Sequence, residues 1–529
     1  MIGAIELVLG LLFAIATLAV LARKLRIPYP IVFVLGGLVI GFIPHLQPLH
    51  LNPDLVFVLF LPPLLYPAAF MTPWRDFHAN LGPILRLAIG LVLFSTVVVA
   101  WFAHEYVGMS LAAGFVLGAI ISPPDAVAAT AITQSLRVPH QIVTILDGES
   151  LVNDATSFTA YRFAVAAVLT GTFSLSAAST RFVGVVLGGI AVGVAVGWLI
   201  SLVQKALDDP PVQMTLSLVA PYATYLIAER LQSSGVLAVV VAGLYVGWRA
   251  PEVLTSRMRL MAFGVWSMVV FLLNGFIFIL IGLQLPEVVH AMARHTLGNA
   301  IKFSAEVVGL LTAVRIVWFV ISTSIAKLLR ADERCHRPRP SWRHIVLLSW
   351  AGMRGVDSLA AALALPLVTL DGQPFPDREL IVFITFGVIL GTLVVQGLTL
   401  QPIIRALRIV GDHAQEDEER EARLQANRAA LERLTSISRT RRIESGLLER
   451  LRTEYEERIQ QLAGTDDNGD HKKLSVYSAE FERLSREILE EERKTILRLR
   501  NERVINDHVL RRIQRDLDLA EAQLGAAED

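Results

Sequence analysis

A single cysteine, Cys335, among 529 residues excludes an internal disulfide and leaves no second thiol to complete a metal-ligand pair. Charge is scarce where the chain is longest. The first 410 residues hold 46 of the 96 acidic and basic side chains, and the last 119 hold 50. The formal net charge of zero is the sum of about +6 and −6, so overall balance carries no information about partners. No basic residue precedes the apolar stretch Ile2–Leu21 and no small-residue cleavage pattern closes it; the cluster Arg23, Lys24 and Arg26 follows it. The expectation is a first spanning helix with its N-terminus outside, not a secretion signal. No Gly-rich phosphate loop, zinc spacing or basic reader helix occurs, so neither a cofactor nor a nucleic acid is expected. Gly148-Glu149-Ser150-Leu151-Val152 lacks the second glycine of a nucleophile elbow, and His104, His140, His290 and His295 all fall at span ends or in loops. That argues against an intramembrane enzyme. What is abundant is apolar: 53% of residues are hydrophobic, 18% are charged, and mean hydropathy is +0.53. The composition predicts an all-α membrane domain over 1–410 and a charged, helical cytosolic tail over 411–529.

A span needs about 20 apolar residues to cross the hydrocarbon. Apolar runs between polar or Pro/Gly breaks predict thirteen helices, near 2–22, 29–44, 53–71, 81–104, 110–135, 140–170, 181–205, 212–230, 235–249, 260–285, 297–329, 342–367 and 378–408. The segment 235–249 is the shortest. The odd-numbered loops hold most of the basic residues, from Arg23/Lys24/Arg26 through Arg75, Arg137, Lys205 and Arg249/Arg257/Arg259 to Lys327/Arg330/Arg334/Arg337/Arg339/Arg343; the loops around 45–52 and 104–110 hold none, and the later even-numbered loops about one each. Cytoplasmic loops are rich in Lys and Arg, which predicts an outside N-terminus and a cytoplasmic tail.

Two spans are interrupted, the fifth by Ser122-Pro123-Pro124-Asp125 and the twelfth by Gly352-Met353-Arg354-Gly355. Adjacent prolines remove donors and clash with the preceding turn. Freed backbone groups at membrane depth are tolerated only inside protein or against a watery cavity. Counting spans 1–6 against 8–13, both breaks fall on the fifth of six. An odd span between the sets gives them opposite orientation. Paired discontinuous helices in two inverted six-helix repeats point to a secondary transporter with a midplane site.

Ionisable residues in such a domain need a reason. The densest group is Asp147-Gly148-Glu149-Ser150-Leu151-Val152-Asn153-Asp154. Ser150 and Asp154, four apart, share a helix face, while Asn153 lies about 100° round from Asp154. Hydroxyl, amide and carboxylate oxygens suit a small monovalent cation. Burial favours the neutral acid and a bound cation favours the anion, so Asp154 can hold a proton or a cation but poorly both. Competition for one carboxylate, exposed to alternate sides, is exchange. Glu149 points to another side, with Arg354 as its expected partner in a clamp between the broken regions; the alternative is a local partner for each. Arg162 and Arg315 either snorkel or pair. Asp125 follows two prolines and reads as a helix cap more than an ion ligand. Asp357 either pairs with Arg354 or stands as a second carboxylate in the cavity, and spacing leaves that open.

Four stretches in order, Phe60-Leu61-Pro62-Pro63-Leu64-Leu65, Ser122-Pro123-Pro124-Asp125-Ala126-Val127-Ala128, Gly148-Glu149-Ser150-Leu151-Val152-Asn153-Asp154-Ala155 and Trp350-Ala351-Gly352-Met353-Arg354-Gly355, resemble the sodium/proton antiporter family of bacterial NhaP and animal NHE exchangers. Asn274-Gly275 and Ile281-Gly282-Leu283-Gln284-Leu285-Pro286 are similar to its bacterial branch. The resemblance implies a 13-helix homodimer in a bacterial inner membrane and elevator-like alternating access. It implies ion and proton on Asp154, Asn153 and Ser150 beside it, main-chain oxygens near Ser122–Pro124 assisting, and Glu149–Arg354 as a stabilising pair. Asn153 in place of a second Asp resembles the electroneutral members. Two positions depart: Pro67 stands where many relatives carry an acid, and Asp357 where they carry an apolar residue. The third-span carboxylate is therefore expected to have been relocated to the twelfth. Na+ is the expected cation, with Li+ or K+ as alternatives; a channel would want a pore filter instead of paired broken helices.

From Gly411 apolar residues recur at helical spacing among charges. Two helical stretches are expected near 413–462 and 474–523, separated by Gly464-Thr465-Asp466-Asp467-Asn468-Gly469-Asp470. The stripe Leu484, Ile488, Leu489, Ile496, Leu499 is suited to a hairpin or to packing between protomers, without a sustained heptad.

Overall fold

The computed structural model describes residues 2–25, 27–42, 53–125, 138–171, 175–291, 297–329, 342–407, 414–440 and 445–463, together with shorter pieces between 484 and 517. Ala126-Val127-Ala128, Arg137, Cys335, the basic residues 330–339 and the 464–470 separator lie outside the described residues, as does most of 474–523. By contacts the chain divides into two units, Met1–Gly411 and Asp412–Asp529.

Among the described residues the first unit is helical apart from one isolated bridge, Val368 to Pro374. Each apolar segment named above contains helix among its described residues, and seven of the described helices are long and apolar enough to cross a membrane by length and composition. The exposed faces are apolar, as on Leu175–Ala206, where Leu187 and Trp198 are more than half exposed. A surface of that kind suits lipid, not water.

The short ninth segment is central, not marginal. It forms the helix Gly235–Val253, started by Ser234, whose side chain accepts from the Leu237 amide at 3.2 Å. Its neighbours are Leu175–Ala206, Pro53–Met71 and Pro210–Arg230. A Cβ on Gly193 would stand 2.6 Å from the Ala238 carbonyl oxygen, and one on Gly247 would collide with the Phe70 carbonyl. Backbones approach this closely only across small residues. In lipid that contact supplies dispersion where the hydrophobic effect supplies nothing.

The sixth segment is one continuous helix, His140–Thr170, begun after Pro139 and ended by Gly171 at φ +67°. Both interruptions are present. Helix Leu111–Ile121 stops at Ser122-Pro123-Pro124-Asp125, and Trp342–Trp350 is separated from Val356–Leu363 by a non-helical Ala351–Gly355.

In the second unit Ala414–Thr440 and Ser445–Ala463 pack on each other and carry exposed pairs four residues apart, including Arg452–Glu456 and Arg458–Glu454. Ile496, Leu510 and Leu517 cluster with Leu489 and Ile513, whereas Leu484 and Ile488 of the expected stripe are exposed.

Candidate functional site

The two interruptions meet. The Asp125 amide donates to the Met353 carbonyl at 2.8 Å, so the breaks join through main chain. Arg354 ties the same crossing with its side chain, Nε donating to the Ile121 carbonyl at 2.6 Å and Nη1 to the Gly352 carbonyl at 2.6 Å. Its own amide donates to Thr392 Oγ1 at 3.0 Å, on a π-helical turn, Thr392–Gln396. These bonds satisfy carbonyls that the broken helices leave free, as burial demands. Gly355 is required here for space: a Cβ would collide with the Asp125 carboxylate.

Helix His140–Thr170 passes this crossing. Asn153, fully buried, donates from Nδ2 to the Pro124 carbonyl at 2.7 Å, and Ser157 Oγ donates to the Ala119 carbonyl at 2.7 Å. Ser122 is buried; its hydroxyl accepts from Thr96 Oγ1 at 3.1 Å and donates to the Gly118 carbonyl. The amide oxygen of Asn153, Oδ1, is buried without a hydrogen-bond partner among the described residues. A buried amide oxygen with no donor costs free energy unless something positive comes to it.

Asp154 is 4% exposed and faces protein, not lipid. Asp357 and Asp125 are the acids close enough to it to act on it electrostatically. Asp125, Asp357 and Ser150 are half-buried. Asp357 is the second residue of helix Val356–Leu363, where the positive end of the helix dipole favours an anion. Of the two readings for Asp357, the pair with Arg354 is not formed among the described contacts: Arg354 Nε and Nη1 donate to the Ile121 and Gly352 carbonyls. Among the described residues no three His, Cys, Asp or Glu side chains converge into a metal cage. Any cation here would share carboxylate oxygens with amide, hydroxyl and main-chain oxygens.

Glu149 requires a correction. It is paired with Arg315, not Arg354. The two guanidinium nitrogens Nη1 and Nη2 reach Oε1 and Oε2 at 2.6 and 2.7 Å, and the Arg315 and Glu149 side chains are almost fully buried, at 2% and 1% exposure. Arg315 Nε also donates to the Leu348 carbonyl at 2.8 Å. The fork geometry of guanidinium on carboxylate satisfies four polar atoms at once. The physical reason for the exchange of partners is geometry: Arg354 turns Nε and Nη1 to carbonyls of the two breaks, while Arg315 meets both carboxylate oxygens of Glu149. Arg354 still links the broken regions, by hydrogen bonds in place of an ion pair. Arg162 pairs at the surface with Glu229, at 2.9 Å.

Sequence reasoning had no means of finding Thr392, an ordinary residue of an apolar helix. Arg315 did carry a signal: a guanidinium in the middle of Leu297–Leu329 demands an acid.

Residues 10–406 match the family described as sodium/hydrogen exchanger, transmembrane. The chain is 35% identical to a Na+/H+ exchanger of Mycobacterium bovis over 99% of this chain and 98% of that one. It is 35% identical to the Na+/H+ antiporter ApNhaP of Aphanothece halophytica over 81% and 78% of the two chains. A Bacillus subtilis protein named as a sodium, potassium, lithium and rubidium/H+ antiporter is 34% identical over 72% of this chain and 58% of its own. Among solved structures, the sodium proton antiporter MjNhaP1 of Methanocaldococcus jannaschii superposes with a TM-score of 0.60 at 18% identity, covering 77% of this chain and all of that one.

Proposed function

The chain belongs to the transmembrane sodium/hydrogen exchanger family, a family of transporters and not enzymes, and on that premise we propose that it exchanges Na+ for protons by alternating access at Asp154. One observation carries the reading. Asp154 is a buried acid at the crossing of two broken helices with no basic side chain paired to it among the described residues, so its charge must be neutralised by something that arrives from outside.

Asn153 Oδ1, the Ser150 hydroxyl and carbonyls of the Ser122–Pro124 segment complete the oxygen set around the ion. Asn153 is held for this by its bond to Pro124, which leaves one amide oxygen uncommitted. Asp125 is fixed by its amide bond to Met353 and shapes the field of the site. A single uncompensated charge carried across with either one proton or one Na+ makes exchange electroneutral. On this reading thirteen spans form two inverted six-helix repeats, with the N-terminus outside and the tail in the cytoplasm. The protein is a homodimer in a bacterial inner membrane and uses no cofactor. The loop charges and the equivalent positions of the two breaks support that topology.

K+ is the second reading, favoured by the range of cations in the name of the Bacillus subtilis relative. Proteoliposomes with an internal pH dye test both. External Na+, Li+ or K+ is added against an acid interior, with Asp154→Asn in parallel. Alkalinisation that depends on the cation and vanishes in the variant is expected. Cation entry without proton movement, as a channel would give, would overturn the proposal.

A further inference from the structure

The peptide unit between Met353 and Arg354, in the middle of the second break, is held at both ends. Its carbonyl accepts from the Asp125 amide at 2.8 Å, and its N–H donates to Thr392 Oγ1 at 3.0 Å. The Thr392 hydroxyl gives its own hydrogen to the span that carries it, with the Val388 carbonyl at 2.8 Å and the Ile389 carbonyl at 3.2 Å. Its oxygen therefore faces Arg354 as an acceptor. One line of hydrogen bonds runs from the main chain of Arg378–Gly391, through a hydroxyl and a single peptide plane, to the amide of Asp125. It ends at the Pro124-Asp125 corner that Asn153 grips through the Pro124 carbonyl at 2.7 Å. Its middle is out of solvent, with Met353, Arg354 and Thr392 at 0%, 3% and 1% exposure. Bonds in such a chain strengthen one another in a dry interior. Thr392 also opens the π-helical turn Thr392–Gln396, a distortion that recurs at functional sites.

We propose that Thr392 is a positioning residue for ion exchange: its hydroxyl fixes the rotation of the Met353–Arg354 peptide plane, and through that plane the Pro124-Asp125 corner of the site. This rests on the antiport reading and adds to it a residue of the last span that touches no ion. The carbonyl and N–H of one peptide unit lie in a rigid plane, so turning one turns the other. Without the hydroxyl the Arg354 N–H is a buried donor with no acceptor, which is costly. The plane turns to relieve it, and the Met353 carbonyl leaves the Asp125 amide. A corner no longer held in place binds the ion more weakly, because binding must then order it. Thr399 supplies the comparison. It lies on the same span and accepts from Trp350 Nε1 at 2.9 Å, just before the break, and its other bonds are to carbonyls of its own span, not to the Met353–Arg354 peptide.

The test uses the full chain in proteoliposomes with whichever of Na+, Li+ or K+ the wild type exchanges. Thr392→Val keeps the shape and removes the acceptor, Thr392→Ser keeps the acceptor and removes a methyl, and Thr399→Val removes the neighbouring bond to Trp350. The half-saturating cation concentration should rise at least about five-fold in Thr392→Val, with the maximal rate within about two-fold of wild type. In Thr392→Ser and Thr399→Val it should stay within about two-fold. Wild-type half-saturation in Thr392→Val, no recovery in Thr392→Ser, or an equal rise in Thr399→Val each overturns the proposal while leaving Asp154-dependent antiport standing. Amide hydrogen exchange in detergent reads the plane itself without transport. The Asp125 and Arg354 amides should exchange at least about ten-fold faster in Thr392→Val than in wild type, and an unchanged Asp125 amide overturns the proposal. Should Thr392→Val fail to fold, Thr392→Ala carries the same expectations in both measurements. A wild type without cation exchange would instead remove the antiport reading, and the amide rates would still decide what Thr392 holds.

Discussion

Glu149 and Asp154 lie five residues apart on one helix, both buried, and they have opposite neighbours. Glu149 meets a guanidinium that matches both of its oxygens, at 2.6 and 2.7 Å. Asp154 meets another acid. The first carboxylate has its charge cancelled by the protein and is free of any need for a visitor. On the proposed reading the second depends on one. A transporter in lipid uses both kinds of acid, because the discontinuous helices must be held firmly while the ion site must stay incomplete. Burial alone does not separate the two. The identity of the partner does.

The sharpest break of that contrast is Asp154→Asn. Cation-dependent proton movement should fall at least about a hundred-fold while the protein remains monodisperse, since a neutral amide is cheaper to bury than an ion. Aggregation of this variant in detergent would place Asp154 with the structural acid instead. Next in size is the opposite site. Glu149→Gln or Arg315→Leu strands one buried charge and should cost about 3–5 kcal/mol, read as lower Tm and folded yield. The double variant Glu149→Gln/Arg315→Met should regain most of that stability, which a directly ion-carrying Glu149 would not allow. Gly355→Ala tests whether the two breaks are as tightly crossed as their main-chain bond indicates. A methyl against the Asp125 carboxylate should cost about 1–3 kcal/mol and slow exchange, and unaltered transport would mean the crossing gives way easily. The smallest effect belongs to Arg162→Ala. Its pair with Glu229 is exposed, so stability should change by under about 1 kcal/mol and exchange not at all.

Much of the site is legible in the amino-acid order. Asp154 stands out because a solitary acid within an apolar run is costly, and Ser122-Pro123-Pro124-Asp125 and Gly352-Met353-Arg354-Gly355 because neither can continue a helix at membrane depth. The partner of Glu149 is not legible there. Two arginines on separate spans are chemically equal candidates, and helical periodicity orders residues within a helix but is silent on which neighbour sits across from it. The same limit hides the bond from Arg354 to Ile121, the support from Thr392, and the choice between two roles for Asp357. Helix Gly235–Val253 is hard to weigh for a related reason: its length is modest, while its value lies in small residues that let three neighbours come close.

Composition and hydropathy by themselves determined that this chain is an apolar helical protein with a charged helical tail, where its helices fall, and which few side chains carry charge into the apolar part. Those follow from the cost of leaving backbone and ionic groups unsatisfied in hydrocarbon, a cost each segment bears alone. Which charges cancel each other, and which one is left wanting, only the tertiary structure decided. Compensation requires atoms within about 3 Å, and residues 149 and 315 reach that distance solely because helices far apart in the chain pack side by side.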